Sequence, residues 1–427
     1  MKIGVTQTRA RSGLVAALDV GTTKICCLIA KPSVDRGPYE ENGPRVVGIG
    51  HQVSKGLRSG TITDLDQIED SIRATVEAAE QMAGENINEV IVNLGGGKPV
   101  SRLIAYEISI AGHQIGDADL RRILDPANLL DQQDADREVL HNIPVGYSID
   151  GNRGVRDPRG MYGQRLGVNM HVISALSGPV RNLETSIARC HLGVESTVAS
   201  SYASALAALV EDEMQMGATC IDLGGGTTSV AVYFDGELVH TDSIPLGGIH
   251  ITNDIARGLS TPLNHAERMK TLYGSAIPSS IDDREVIKVP LVGEEDADDT
   301  NPVPRSMLVG IIRPRTEEIL EMVRDRLAKA GFDKVAGRRL VLTGGGSQLT
   351  GIGDLAAGIL DKQVRLGRPM SIDGLAEVVA GPAFSTCAGL LHYAVTSKAE
   401  APSAAYQPTA EQAGRFGRIG QWLKENF

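Results

Sequence analysis

The chain carries one short pattern twice, once near its start and once just past its middle. The stretch "ALDVGTTKICCLIA" covers residues 17–30, and "CIDLGGGTTSVAVY" covers residues 220–233. Each places an aspartate at the end of an apolar run, followed by glycine, a threonine pair and a second apolar run. Two apolar runs joined by a glycine turn predict a β-hairpin. We therefore expect two related structural units in one chain.

The residues after each hairpin extend the repeat. In the first half, "RVVGIGHQVSKG" predicts a third strand, and residues 64–84 predict a helix with Asp64 as its cap and Gly84 as its stop. In the second half, residues 218–248 predict three strands and "HITNDIARGL" predicts the helix that follows. The sequence therefore predicts an α/β fold with a duplicated mixed-sheet core forming two lobes.

Composition excludes some classes of function. The chain has 427 residues, which is enough for two or more domains, and 42% hydrophobic with 22% charged residues is typical of a folded protein. The formal net charge is −11 and only 4% of residues are aromatic. No basic stripe interleaved with aromatics is present, so we expect no nucleic-acid partner.

The cysteines and the first residues bear on the compartment. Cys26, Cys27, Cys190, Cys220 and Cys387 show neither the spacing of a metal site nor that of a disulfide framework. We expect core thiols in a reducing compartment. The basic and then apolar start is interrupted at Asp19 and has no small-residue cleavage site, so an export signal is not expected.

The glycine turns are suited to phosphate. A triphosphate needs backbone N–H donors at close range, which glycine permits because it lacks a β-carbon. Threonine hydroxyls add donors, and an aspartate at a strand end can hold Mg²⁺, often through water. An isolated copy is a weak signal, because such hairpins are common. Two copies and a third turn at "LTGGGSQLTG" predict a nucleotide site.

We expect the chain to divide into several parts. The predicted parts are an N-terminal arm (1–13), a first core (14–85, 169–200 and 374–395), an inserted subdomain (86–168), a second core (201–261 and 331–373), a second-lobe subdomain (262–330), a linker (396–413) and a terminal helix (414–427). The turn "LGGGKP" lacks phosphate-loop spacing and is interpreted as a plain turn. The acidic run near residues 293–300 is interpreted as a solvated loop.

This set of motifs resembles the superfamily of actin, DnaK-type chaperones and sugar kinases, in which two such hairpins face each other across a cleft. The resemblance implies ATP and Mg²⁺ as ligands, with Asp19 and Asp222 at the metal. The residues that it implies for phosphate and nucleoside contacts are Gly21, Thr22, Thr23, Lys24, Gly224, Gly225, Gly226, Thr227, Thr228, Gly247, Gly248, Gly344, Gly345, Gly346 and Ser347.

Three further residues follow from the same resemblance. Glu267 and Lys270 are expected to face ribose and base, although a surface i, i+3 ion pair would explain them equally simply. The stretch "GVESTVASSYASALAAL" is similar to the connecting helix between the lobes. That similarity implies that Glu195 lies near the γ-phosphate, with a catalytic role shared with Asp222.

Within the superfamily, the chain resembles the FtsA family of bacterial cell-division proteins over nearly its full length. The motifs "GLRSGTITDLD", "STVASSYASALA", "PLGGIHITNDIARGL", "AERMKTLYG" and "IIRPRTEEIL" carry the resemblance, together with the two hairpins. It implies an ATP-bound protein that polymerises on the cytoplasmic face of the cell membrane at the septum. It also implies that the chain binds the C-terminal tail of FtsZ and helps to recruit later division proteins.

The resemblance places the FtsZ tail on the subdomain around residues 262–330. Arg313, Arg315 and Glu318 are candidates for that surface, and helix-start charges are the alternative interpretation.

The last residues, "RFGRIGQWLKENF", predict a short amphipathic helix. Phe416, Ile419, Trp422, Leu423 and Phe427 form its apolar stripe, and Arg415, Arg418 and Lys424 flank it. A basic helix of this kind beyond a polar linker is typical of an anchor to anionic lipid. Docking on its own domain or on a partner is the alternative.

Two other classes of function remain in view. A small-molecule or sugar kinase of the same superfamily would need a carboxylate base near the acceptor hydroxyl, but it has no need for a membrane helix. A chaperone-like ATPase is disfavoured because no β-rich client domain follows the core. We expect slow ATP hydrolysis at most, since nothing in the sequence indicates a dedicated strong base.

Overall fold

The computed structural model describes residues 13–31, 44–125, 134–293, 300–370 and 372–396. The predicted N-terminal arm, acidic loop, linker and terminal amphipathic helix lie wholly or almost wholly outside these residues. Across the described part of the chain, no helix combines the length and apolarity needed to cross a bilayer.

The described residues form groups of strands separated by helices. The strands are β1 (Val15–Val20), β2 (Lys24–Lys31), β3 (Arg45–Val53), β4 (Leu57–Arg58), β5 (Thr61–Ile62), β6 (Glu89–Leu94), β7 (Val100–Ser109), β8 (Arg137–Ile149), β9 (Asn152–Val155), β10 (Arg165–Leu176), β11 (Gly193–Ala199), β12 (Ala218–Leu223), β13 (Thr228–Phe234), β14 (Glu237–Ile244), β15 (Val286–Pro290), β16 (Thr300–Pro304), β17 (Arg339–Thr343) and β18 (Gln363–Leu366).

The helices are α1 (Leu65–Ala83), α2 (Asp117–Ile123), α3 (Ser177–Arg189), α4 (Ser200–Ala208), α5 (Glu211–Met216), α6 (Gly248–Gly258), α7 (Leu263–Tyr273), α8 (Arg305–Ala330), α9 (Ile352–Leu360) and α10 (Ser385–Thr396). Short 3₁₀ turns occur at Gly345–Gln348, Glu377–Val379 and Pro382–Phe384.

Two five-stranded sheets have the same construction. The first has the order β11-β6-β1-β2-β3 and the second has the order β14-β13-β12-β17-β18. In each, the first strand of the hairpin is antiparallel to the second strand and parallel to a later strand on its other side. Every residue of β1 and β12 is buried, as expected for central strands covered on both faces. The predicted duplicated α/β core is confirmed.

Local signals set the boundaries of α1 as predicted. The Asp64 carboxylate accepts hydrogen bonds from the N–H groups of Asp66 and Gln67, both at 3.1 Å. Gly84 ends the helix in the left-handed region, at a φ of 71°. Between these caps, Ile68 and Ile72 are fully buried against the first sheet.

The inserted subdomain is a four-stranded antiparallel sheet of order β7-β10-β8-β9. Its limits differ from the predicted range of 86–168. Strand β6 pairs with β1 and β11, so residues 89–94 belong to the first core sheet. At the other end, β10 stays paired with β8 as far as Leu176. Pairing between distant strands decided both limits.

The region between the two lobes also corrects a prediction. We expected one connecting helix over residues 193–209, but Gly193–Ala199 form strand β11 and only Ser200–Ala208 are helical. The β-branched Val194, Thr197 and Val198 lie in a strand that pairs in parallel with β6. The remaining helix, α4, packs against α10.

Helices α7 and α8 and the hairpin of β15 with β16 lie in the second-lobe subdomain and share a hydrophobic core with α6. Ile255, Met269, Val289, Leu308 and Ile312 are buried in its core. The start of α8 is held by Arg305, whose guanidinium lies 2.7 Å from the buried Asp282 carboxylate.

All five cysteines are free thiols. Cys26, Cys27, Cys220 and Cys387 are buried, as predicted for core residues, whereas Cys190 is half-buried.

Candidate functional site

The two hairpin turns contact each other between the lobes. Each turn is closed by the same hydrogen bond, from Gly21 N to Lys24 O and from Gly224 N to Thr227 O, both at 3.0 Å. A β-carbon built on Gly226 would lie 2.4 Å from the hydroxyl oxygen of Thr22. The first turn therefore brings threonine side chains to the place where the second turn brings bare backbone.

A cavity of about 710 Å³ opens beside these turns, within the range expected for a small-molecule site. The predicted residues that line it are Asp19, Gly21, Thr22, Thr23, Lys24, Asp222, Gly224, Gly225, Gly226, Thr227, Gly248, Glu267, Lys270, Gly344, Gly345 and Gly346. Residues from both lobes and from the second-lobe subdomain thus meet around one space.

Four predicted residues do not line this cavity. The Thr228 hydroxyl donates to Leu246 O at 2.9 Å, and the Ser347 hydroxyl donates to Gly344 O at 2.7 Å. Gly247 lies immediately before α6. Its N–H donates to His250 Nδ1 at 3.1 Å and is therefore already engaged within the protein. Glu195 lies on β11, outside the cavity lining, so the structure does not place it beside the other predicted residues.

Asp19 and Asp222 are the two buried carboxylates of the cavity, at 7% and 8% exposure. Burial raises the pKa of Asp19 to about 6, with Asp222 adding to the rise and Lys24 and Asn93 opposing it. Burial also raises the pKa of Asp222, against hydrogen bonds from Thr386 and Ser204 and the charge of Lys24. Burial and mutual repulsion make it costly for both carboxylates to be ionised. A bound cation would offset that cost, so the pair is suited to binding one.

The donor set fits Mg²⁺ better than a protein-caged metal. Within the described ranges, no group of three or more His, Cys, Asp or Glu residues could hold a metal ion. Mg²⁺ is usually held by one or two carboxylates and takes its other ligands from phosphate and water. Asp19 and Asp222 supply that number.

The third glycine turn lies directly against Asp222. Gly344 has a φ of +82°, and a β-carbon there would lie 2.1 Å from Asp222 Oδ1. Any side chain at this position would displace the carboxylate, so the close approach requires glycine.

Lys270 and Glu267 face the cavity from α7. Lys270 Nζ lies 2.7 Å from Glu267 Oε2, and it also donates to Thr252 Oγ1 at 2.9 Å and to Gly248 O at 3.1 Å. The lysine side chain is only 16% exposed. The pair is therefore built into the cavity wall as well as being an i, i+3 ion pair.

Lys24 is held at the edge of the same space. Its ammonium donates to Ala383 O and lies 3.3 Å from the centre of the Phe384 ring. These contacts hold the ammonium at the 3₁₀ turn Pro382–Phe384, and its charge opposes the rise in the pKa of both Asp19 and Asp222.

Several cavity residues were not predicted. Asn93, Ser200 and Thr386 line the cavity, and so does Gly95 of the turn interpreted as plain. The sequence signal that could have identified Asn93 is its position near the end of a strand. Because β6 is parallel to β1, the two strands end at the same edge of the sheet, which places Asn93 near Asp19. No local motif marked Thr386.

The candidate partner residues lie away from the cavity on α8. Arg313 Nε is 2.7 Å from Glu317, and Arg315 Nε is 2.6 Å from Asp254 and also contacts Glu318. The helix begins at Arg305, so these are interior helix residues and the helix-start interpretation is wrong.

Two family models match the chain. The model described as "Cell division protein FtsA" matches residues 219–389, and the model described as "SHS2 domain inserted in FTSA" matches residues 96–174. Cell division protein FtsA of Agrobacterium fabrum is 45% identical over 98% of this chain and 96% of its own length. The chain belongs to the FtsA family.

Other FtsA proteins are similar over the same span. FtsA of Pseudomonas aeruginosa is 34% identical over 97% of this chain, and FtsA of Escherichia coli K12 is 30% identical over 97%, with 98% of each relative covered. The residues matched by the inserted-domain model, 96–174, nearly coincide with the sheet of β7 to β10, which runs from Val100 to Leu176. The relatives and the family model are all described as cell division proteins.

Solved structures confirm the actin-like fold. The PilM–PilN type IV pilus biogenesis complex aligns with a TM-score of 0.62 at 16% identity, covering 89% of this chain and 98% of that chain. MreB5 of Spiroplasma citri bound to ADP aligns with a TM-score of 0.52 at 14% identity, covering 90% and 96%. At such low identity, these matches to solved structures concern the fold alone.

Proposed function

We propose that the chain is an ATP-binding cell-division protein that polymerises on the cytoplasmic face of the membrane at the septum and anchors the FtsZ ring there. The observation that carries the proposal is the contact between two duplicated hairpin turns beside one cavity with two buried aspartates. Family membership favours this function over a sugar kinase.

Each part of the cavity has a role in this proposal. The N–H groups and hydroxyls of the two turns bind the phosphates, while Glu267, Lys270 and the third turn contact the nucleoside. Asp19 and Asp222 hold Mg²⁺, which neutralises negative charge on the phosphates when it is bound. Among the described residues that line the cavity, the carboxylates other than the two assigned to the metal are limited to Glu267, which is paired with Lys270. We therefore expect turnover well below the ~1–100 per second of kinases.

The test of the site is a titration of the purified chain with ATP in the presence of Mg²⁺. We expect saturable binding that Asp222→Ala weakens strongly. Thr316→Val is a matched control, since Thr316 is a buried threonine of α8 whose hydroxyl bonds within its own helix to Ile312 O. Unchanged affinity in Asp222→Ala would contradict the proposed place of the metal.

The proposed FtsZ surface is the second-lobe subdomain. Its exposed large apolar side chains are Leu263, Leu272, Tyr273, Ile281, Val286, Val292 and Met307. An amphipathic tail peptide could bury such side chains, each contributing roughly 1.5–3 kcal/mol when fully covered. The ion pairs of Arg313 and Arg315 leave their charges largely satisfied, so we expect apolar contacts to dominate over these residues.

Binding of an FtsZ tail peptide tests this surface. Leu272→Asp, at 58% exposure, is expected to reduce binding at least tenfold without loss of the fold. Met216→Asp is the control, because Met216 is 72% exposed but lies on α5, outside the subdomain. An equal loss in both variants, or in neither, would exclude residues 262–330 as the docking surface.

The proposed membrane anchor is the amphipathic segment at residues 414–427, outside the described residues. Its apolar stripe and basic flanks predict weak, reversible binding by one helix and strong binding by many helices on one filament. Trp422→Glu is expected to abolish co-sedimentation with anionic vesicles. Equal pelleting of the two proteins would discard the anchor.

A further inference from the structure

Asn93 lies near the carboxyl end of β6, beside Asp19 near the carboxyl end of β1. Its side chain is 4% exposed and lines the cavity. No motif of the two hairpins includes it, and it lies on the core strand that precedes the inserted sheet in the chain.

All the polar atoms of the Asn93 amide are engaged. Its Oδ1 accepts from Val20 N at 2.7 Å, and its Nδ2 donates to Asp19 Oδ1 at 2.8 Å and to Ser200 Oγ at 3.0 Å. Because the backbone N–H of Val20 demands an acceptor, the orientation of the amide is determined: the donor group must face Asp19.

This arrangement fixes the rotation of the Asp19 carboxylate. Oδ1 accepts from the amide, and within the described part of the chain Oδ2 accepts no hydrogen bond. Asp19 lines the cavity, so its second oxygen is the one left available to the proposed metal there. Ser200 begins α4, so the same amide also ties Asp19 to the helix between the lobes.

We propose that Asn93 is the positioning residue for Asp19, holding one carboxylate oxygen so that the other is presented to the Mg²⁺ that accompanies a bound nucleoside triphosphate. The inference rests on the proposed function. It assigns Asn93 no contact with phosphate, so its effect must pass through the metal.

The test compares the affinity for a non-hydrolysable ATP analogue in Mg²⁺ with the affinity in EDTA. In Asn93→Ala, we expect the gain in affinity that Mg²⁺ brings to fall about 10- to 100-fold, as for other residues that orient a metal ligand. Affinity in EDTA should stay within about threefold of the unsubstituted protein. If the folded Asn93→Ala variant lost affinity equally in Mg²⁺ and in EDTA, the inference would be overturned, as it would be by an unchanged Mg²⁺-dependent gain.

Asn142→Ala is the matched control. Asn142 is a buried asparagine of the inserted sheet, at 2% exposure, and it does not line the cavity. Its replacement is expected to leave the Mg²⁺-dependent gain unchanged, even where it lowers the melting temperature.

If Asn93→Ala does not fold, Ser200→Ala decides the question. It removes the second acceptor of the Asn93 amide, and we expect a smaller, severalfold loss of the Mg²⁺-dependent gain. No loss would overturn the inference. Absence of any binding by the unsubstituted protein would instead overturn the proposed function, so the two failures are distinguishable.

Discussion

The two lobes share a sheet order but hold their aspartates differently. Asp19 is held by Asn93, which lies on the neighbouring strand of the same sheet. Asp222 accepts a hydrogen bond at 3.0 Å from Thr386 of α10, a helix that packs on β1, β2 and β6 of the other lobe. The geometry at Asp19 is thus local to one lobe, whereas the geometry at Asp222 depends on both lobes.

The turns themselves have also diverged. The first supplies Thr22, Thr23 and a lysine, and the second supplies three successive glycines. The threonine side chains of the first turn pack against the glycine backbone of the second. Added β-carbons on Gly225 and Gly226 would lie within 2.6 Å of those side chains. A duplicated structure therefore became a complementary pair, which two identical turns could not form.

The largest expected effect comes from removing either carboxylate. Asp19→Ala and Asp222→Ala should each lower the affinity for ATP in Mg²⁺ by about 100-fold, which corresponds to about 3 kcal/mol. Titration calorimetry with and without Mg²⁺ measures this. A loss confined to one variant would show that only one of the two aspartates holds the metal.

The second expected effect is on stability without ligand. The pKa of Asp19 rises on folding from 3.8 to about 6, so between these values the unfolded chain binds fewer protons than the folded one. Stability therefore falls as pH rises through this window, and the cost persists above it. Asp19→Asn should stabilise the ligand-free protein by about 2 to 3 kcal/mol at pH 7.5 and very little near pH 4.

Chemical unfolding at the two pH values tests this expectation. Asp70→Asn is the control, since the Asp70 side chain on α1 is 82% exposed and should show no such difference. Equal stability of Asp19→Asn and the unsubstituted protein at both pH values would contradict the assigned cost of burial.

A smaller effect should follow from Thr386→Val, which keeps the shape but removes the hydroxyl donor to Asp222. We expect a loss of roughly tenfold in Mg²⁺-dependent ATP affinity, the value of about one hydrogen bond to a charged group. Thr316→Val serves again as the control. If Thr386→Val leaves the affinity intact, Asp222 does not depend on the opposite lobe and the contrast with Asp19 fails.

The smallest effect is expected from Lys24→Met. The ammonium is already engaged by Ala383 O and the Phe384 ring, an interaction worth about 0.5–1 kcal/mol at an exposed site. We expect ATP affinity to fall only about two- to fivefold. A loss as large as that of Asp222→Ala would mean that Lys24 leaves these contacts and binds phosphate directly.

Local sequence determined the repeated hairpins and the helix that follows each of them. Asp64 and Gly84 marked the ends of α1 because capping involves residues only a few positions apart. The same is true of the glycine turns, whose backbone conformation depends on the residues within them. Lobe duplication, the cavity aspartates and the FtsA-family relationship were accordingly evident before the structure.

Tertiary structure decided which residues support those aspartates. Asn93 and Asp19 are 74 residues apart, and Thr386 and Asp222 are 164 residues apart. Strand pairing likewise placed Glu195 on β11, outside the cavity, and assigned β6 to the core sheet. These outcomes depend on how distant strands and helices align, and a pattern read over neighbouring residues contains no information about that alignment.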